Sequence, residues 1–387
     1  MLKYEKKFIE FIEKNYLIIF AILLSFFALY VRSKMLDFES GDAVYFLSPW
    51  FEYLRANGGI LALKSYPGDY NAPYMTILAI LTYLPHSGLK AIKCISIVFD
   101  FILAISGGLL LKEITKDKVK AIATYIILLF LPSVLMNSAL WAQCDSIYAS
   151  FILISLLFLI KKKYVTSFIF LGLSFAFKLQ FIFILPLYLL YYFNEKKFSV
   201  LYFLIIPTIN FILCLPAIIV GKPIGEVLMV YFNQTSTYKS NMVLGLPNIY
   251  NLFYVNKDSV EMMYTFGIAI TLVLFVLIAI YVISNKIKFN NKNILLVGIL
   301  SIVVATYFLP GMHERYMYVG EILIVLYYLI YRKNLPMLVF MIISPIFTYS
   351  SFLFGIDYNY MPFLSIAYLI ILSGFIKSTL IEMKSKE

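Results

Sequence analysis

Charge is scarce in this chain. Only 14% of its 387 residues are Asp, Glu, Lys or Arg, against about 25% in soluble globular proteins. Histidine and tryptophan occur twice each and cysteine three times. Cys94, Cys144 and Cys214 lie in or beside apolar runs without CxxC spacing, which argues against a disulfide framework and a cysteine-ligated zinc site. Walker A, GxSxG, HExxH and Rossmann glycine patterns are all missing, which disfavours an ATPase, a serine hydrolase and a zinc protease. No heptads, low-complexity tract or clear internal repeat occur, so sequence symmetry gives no support to an inverted-repeat transporter.

What the chain has instead is apolar surface. Hydrophobic residues make up 62% of it, and the mean hydropathy is +0.88. The apolar runs recur from end to end, leaving no polar stretch long enough for a soluble core. The expectation is an all-α polytopic integral membrane protein, a single multispanning domain over 1–387. Twelve passes are expected near 16–34, 90–111, 119–139, 146–160, 164–178, 181–193, 199–220, 259–284, 293–310, 316–331, 335–354 and 361–377. A further run, Tyr74 to Leu84, is too short to span and predicts a helix in or dipping into the interface. The N-terminal lysines and apolar Tyr16–Val31 resemble a signal sequence, but Arg32-Ser33-Lys34 follows in place of a small-residue cleavage site, so a retained anchor is expected. Abundant Lys, Ile, Asn, Tyr and Phe point to an AT-rich genome and a prokaryotic cell membrane.

The placement of Lys and Arg sets an expected orientation. With both termini cytoplasmic, 21 of the 32 basic residues and 8 of the 21 acidic ones lie on the cytoplasmic side. The net charge of +11 is thus a topology signature, and nucleic acid is not expected as a partner. Cytoplasmic loops are short and lysine-rich. The two long loops, 35–89 and 221–258, are expected outside, where long ordered loops are usually functional.

Ionisable residues at or below a membrane surface are costly, so they mark candidate sites. They gather in four places. Ser40-Gly41-Asp42 follows the first span and precedes Ser48-Pro49-Trp50-Phe51-Glu52. Ser48 as N-cap, Pro49 at the first helical position and Gly58-Gly59 as a stop predict a short helix. Trp50, Phe51 and Leu54 would lie on the lipid interface, leaving Asp42 on a turn at the mouth of the bundle. In Trp141-Ala142-Gln143-Cys144-Asp145-Ser146, Asp145 reads either as a helix cap or, with Gln143, as a substrate-facing group. In Phe177-Lys178-Leu179-Gln180, the lysine needs an anionic partner, either a protein carboxylate such as Asp100 or a phosphate. Met312-His313-Glu314-Arg315-Tyr316 joins one of two histidines to Glu and Arg, whose planar fork suits phosphate oxygens. If that segment is helical, Glu314 and Glu321 share one face.

These motifs resemble the GT-C glycosyltransferases that use polyprenyl-phosphate sugars, particularly bacterial and archaeal relatives of GPI-anchor mannosyltransferases. The eukaryotic glucosyltransferases of lipid-linked oligosaccharide assembly are similar at greater distance. The resemblance rests on Gly41-Asp42, Pro49-Trp50, WAQCDSIYA, AFKLQ and PGMHERY, in the family order across residues 40–320. The sequence departs from the eukaryotic relatives in Lys178-Leu179-Gln180, where Lys-Gln is usual, and in Arg315, where Lys is usual. The resemblance implies an extracytoplasmic, inverting, metal-independent hexosyltransferase with no cofactor and Asp42 as the base. Lys178, Arg315 and His313 would bind the donor phosphate. Gln143, Asp145, Glu314, Trp50, Gln180 and Tyr316 would contact substrate. Its partners would be a lipid-linked sugar donor, a glycan or glycolipid acceptor and membrane lipid. Two alternatives stay open: a lipid-linked-sugar flippase, and a polysaccharide polymerase or ligase.

Overall fold

The computed structural model describes residues 3–237 and 241–385. Helices dominate it, because an apolar run in lipid satisfies its backbone N–H and C=O groups only within its own segment. Among the described residues seven helices are long and apolar enough to cross a membrane: Lys3–Ser33, Gly88–Thr115, Val200–Ile219, Lys257–Ser284, Asn291–Phe308, Leu335–Phe354 and Met361–Lys384. A bent pair, Lys118–Leu129 with Pro132–Leu140, makes an eighth if counted as one span, and turns by 49°. Pro132 has no N–H to continue the ladder and holds Leu131 extended, at ψ 126°. The chain is an all-α integral membrane protein.

The remaining apolar segments of the expected passes are also helical, but short. They are Asp145–Ile160, Tyr164–Phe177, Leu179–Glu195 and Tyr318–Tyr331. A helix of 14 residues, such as Tyr164–Phe177, rises about 21 Å, while the hydrocarbon layer is about 30 Å thick.

Asn291–Phe308 is buried almost throughout and Asp145–Ile160 nearly so, which places them at the centre of the bundle. Lys3–Ser33 and Lys257–Ser284 lie at its edge, exposing Leu23, Phe26, Met262 and Leu272. Glycine permits the closest helix approaches. A Cβ at Gly108 would lie 2.9 Å from the Ala121 carbonyl, and one at Gly172 would lie 2.8 Å from Ile209.

The first long loop departs from expectation in three ways. Its helix begins at Gly41, passes through a π-helical turn at Ala43–Leu47 and continues as Ser48–Ala56. Ser48 is therefore not an N-cap. The wide turn just before Pro49 accommodates a residue that cannot donate to the ladder. Gly58 and Gly59 do end the helix, at φ 86° and 63°. Trp50, Phe51 and Leu54 face protein rather than lipid: all three are buried, whereas Tyr45 and Phe46 are exposed. Finally, the expected interfacial helix forms as Ala72–Leu81, with Tyr74, Met75 and Leu78 buried. Asn71 fastens it into the bundle, donating through Nδ2 to Ala176 O at 2.9 Å and Asn210 Oδ1 at 2.8 Å.

Asp100 is paired with Arg32 at 2.9 Å, not with Lys178. Ser138 and Ser146 each donate to its carboxylate at 2.5 Å, and Arg32 also donates to Leu129 O at 2.9 Å. The buried pair is therefore fully bonded, the condition under which such a pair is tolerated. The second long loop meets the bundle through two short parallel strands, Val243–Leu244 and Met312–His313, with Val243 opposite Met312 and Leu244 opposite His313.

Candidate functional site

Five separate chain segments converge on one cluster, and their local conformations explain how. After the first helix, Ser40 donates to Trp141 O at 2.8 Å and accepts from Ala43 N at 3.1 Å. That pair of bonds ties the helix start carrying Asp42, which is helical rather than on the expected turn, to the turn carrying Trp141. Ala142 adopts a left-handed φ of 65° after the π-helical Met136–Leu140 segment, and Gln143 follows. Asp145 is the first residue of the Asp145–Ile160 helix. Lys178 is extended, at φ −150° and ψ 140°, where Tyr164–Phe177 stops and a 3₁₀ turn begins.

Asp42 accepts two hydrogen bonds on Oδ2, from Trp141 Nε1 at 2.8 Å and Gln143 Nε2 at 2.6 Å. The other face of the Gln143 amide accepts from Arg315 Nη1 at 2.8 Å, Tyr70 OH at 2.9 Å and Lys178 Nζ at 3.3 Å. A carboxylate only accepts and a guanidinium only donates, so this setting fixes the amide's orientation. Lys178 pairs with Asp145 at 2.6 Å. The second Asp145 oxygen accepts from Asn137 Nδ2 at 2.6 Å. Asp145 thus does not cap its helix by a side-chain bond; its carboxylate is engaged by Lys178 and Asn137.

Arg315 stands between the two aspartates, 3.8 Å from Asp42 through Nη2 and 3.6 Å from Asp145 through Nη1. Its guanidinium carbon lies 5.1 Å from the Trp141 ring centroid, and that indole stacks on Phe352 at 4.4 Å. The Arg315 Nε is buried and has no hydrogen-bond partner among the described residues.

A cavity of about 490 Å³ opens beside the cluster, within the usual range of small-molecule sites, about 300–1,000 Å³. Lys178, Gln180, His313, Arg315 and Tyr316 line it, together with Asp69. Apolar side chains line it as well, including Phe177, Phe183 and Leu309. Two further lining residues, Ile182 and Ile268, are 46% and 39% exposed, so the lining includes apolar surface open to the outside of the bundle.

Not every expected site residue reaches the cavity. Asp42, Gln143 and Asp145 sit behind it, in the bonded network. Trp50 packs against Tyr70, with ring centroids 5.4 Å apart, and Tyr70 in turn holds Gln143. Glu314 is buried and turned toward Gly245, where a side chain would collide with its carboxylate. Residues 314–317 form a turn rather than a helix, so Glu314 and Glu321 do not share a helical face. Burial holds the Glu314 carboxyl up, to about 7, against the pull of Arg315. Burial, with Arg315 and Lys178 nearby, lowers His313 to about 3. The imidazole is consequently neutral near pH 7 and offers hydrogen bonds, not charge.

Sequence reasoning missed four participants: Asp69, Tyr70, Asn137 and the Trp141 indole. The available signal for the first two was Asn71 followed by Pro73, a helix start that puts the preceding residues at a bundle edge. Solvent reaches Asp69 through the cavity, yet the protein around it and the like charge of Asp42 raise its carboxyl above the ordinary range. In comparison with known proteins, no family model and no curated protein matches the chain.

Proposed function

We propose that the protein is a membrane hexosyltransferase of the GT-C kind, moving a hexose from a polyprenyl-phosphate donor to an acceptor hydroxyl on the extracytoplasmic side. The observation that carries this reading is a cavity lined both by Lys178, Arg315 and a neutral His313 and by the exposed apolar Ile182 and Ile268. A ligand that suits both kinds of lining bears an anion on an apolar tail.

In the proposed step the acceptor oxygen bonds to the anomeric carbon as the bond from that carbon to the phosphate oxygen breaks. The attack comes from the opposite face, so configuration inverts. The electron pair leaves on the lipid phosphate, whose charge Lys178 and Arg315 stabilise. The acceptor's proton passes to Asp42, which lies outside the cavity lining but keeps a side chain 20% exposed and an Oδ1 that makes no hydrogen bond among the described residues. His313, Gln180 and Tyr316 would contact the donor, while Gln143, Asp145, Glu314 and Trp50 would hold the surrounding shape.

The full reading includes twelve passes with both termini cytoplasmic. Each of the four short helices begins or ends at the cluster, at Asp145, Phe177, Leu179 and Tyr318. Their missing length would fall on the site side, recessing the cavity below the outer membrane surface. There a phosphate attached to a lipid tail meets the cations without leaving the bilayer.

The test is transfer by the purified protein from radiolabelled short-chain polyprenyl-phosphate hexoses to extracted lipid-linked glycans. Transfer is expected to survive EDTA and to fall by about 10³-fold in Asp42→Asn, with donor binding retained. A protein that binds donor, consumes none and flips it across proteoliposomes would instead be a lipid-linked-sugar transporter.

A further inference from the structure

The cavity contains a carboxylate that the transfer step leaves idle. Asp69 lines it alongside Lys178, His313 and Arg315, whereas Asp42 does not reach its wall. The backbone at Asp69 is fixed: its carbonyl accepts from Gln234 Nε2 at 2.5 Å. The next residue, Tyr70, donates to Gln143 at 2.9 Å, and Asn71 after it is buried and bonded on both sides. No side chain of another described residue bonds the Asp69 carboxylate. A rigid main chain therefore holds an accepting group toward an open cavity.

Charge balance limits what that group can meet. Lys178 and Arg315, which the donor phosphate would occupy, are also faced by Asp145 and Asp42, so Asp69 adds a further negative charge with no cation left for it. A second anion would be repelled there. A neutral ligand bearing hydroxyls would not, because a carboxylate accepts from two neighbouring O–H groups through its two oxygens.

We propose that Asp69 receives the acceptor: its carboxylate accepts hydrogen bonds from the hydroxyls of a carbohydrate acceptor beside the hydroxyl that attacks, and so selects which one meets the anomeric carbon. The proposal rests on the transferase reading above and adds to it the chemical class of the acceptor and the residue that orients it. Asp42 keeps the proton; Asp69 binds and orients.

Steady-state transfer by the full-length protein, with donor and acceptor varied separately, tests this. Asp69→Asn and Asp69→Ala are expected to raise the acceptor KM by about tenfold or more, with the donor KM unchanged and kcat largely kept. Retained donor binding shows that the variants fold, which is expected because Gln234 holds the main-chain carbonyl and not the side chain. A deoxy acceptor lacking the neighbouring hydroxyl should carry the same penalty in wild type and lose little more in Asp69→Asn. An unchanged acceptor KM overturns the proposal. So does a loss confined to kcat with the acid limb of the pH profile abolished, since Asp69 would then be the base. A wild-type protein that consumes no donor removes the transferase reading itself, and is told apart from these outcomes before any variant is made.

Discussion

Gln143 donates to Asp42 through Nε2 at 2.6 Å while its Oε1 accepts from Arg315 at 2.8 Å. One neutral amide thus separates a carboxylate from a guanidinium and bonds to each in the sense its chemistry requires. The arrangement holds Asp42 in place without pairing it tightly to Arg315, which stays 3.8 Å away.

Gln143→Glu is expected to break this arrangement without changing its size. The new carboxylate oxygen would lie where Nε2 now sits, against Asp42 Oδ2, and two carboxylates at that distance share a proton. With Asp42 as the proposed base, kcat should fall by about 100-fold or more near pH 7, with donor and acceptor KM little changed. Steady-state kinetics with thermal unfolding in detergent separates this from misfolding.

The Lys178–Asp145 pair, at 2.6 Å and nearly inaccessible on both sides, predicts a stability pattern. Lys178→Met leaves a buried carboxylate without its main cation, at a cost of about 3–5 kcal/mol. Arg315 at 3.6 Å and Asn137 hold the actual loss toward the lower end. Asp145→Asn combined with Lys178→Met should recover most of the thermal stability and none of the transfer. A double variant as unstable as the single one would mean that the loss lies in packing.

How far the sequence reveals this site depends on what each residue costs in lipid. Asp42, Gln143, Asp145, Lys178 and Arg315 stand out because a polar group in so apolar a chain is expensive, and these five do meet in one network. Their pairings were not legible. Lys178 and Asp100 are both buried charges in want of a partner, but Arg32 takes Asp100 through a helix contact spanning 68 positions. Asp69 looks like a solvated loop charge until Ala72–Leu81 is fastened into the bundle by Asn71. The Trp141 indole passes for an ordinary apolar group, because nothing local shows its N–H aimed at Asp42. Hydropathy likewise locates apolar segments but not their effective lengths. Pro132 bends one segment, and the extended Lys178 divides another. Ser48-Pro49 carries a true helix-start signal, overridden by a π-helical turn that lets the helix begin at Gly41.

Arg315→Lys keeps the charge and should still fail. An ammonium is a compact point charge on a flexible stem and cannot reproduce the planar contact over Trp141 and the bond to Gln143 together. The donor kcat/KM is expected to fall by about 100-fold, in line with loss of a bidentate, charge-assisted contact. Lys at this position with full activity would show that charge alone is used.

Glu314 and His313 give the protein opposing pH dependences in one short turn. The Glu314 carboxyl is raised from 4.5 to about 7 by burial, so the folded state binds its proton more tightly than the unfolded state does. Its burial costs nothing below about pH 4.5, and an increasing amount as pH rises through 7, about 3 kcal/mol in the alkaline limit. His313 is lowered from 6.5 to about 3, so the folded state binds that proton less tightly. Its contribution is complete above pH 6.5 and is lost as pH falls toward 3. Between about pH 4.5 and 6.5 the two slopes oppose each other. Glu314→Gln removes one of them while keeping the shape against Gly245. It should leave stability near pH 4.5 almost unchanged and raise it at pH 8, so that the gain in Tm over wild type grows steadily with pH. A gain of equal size at both pH values would show that the glutamate's charge is not what the fold is working against.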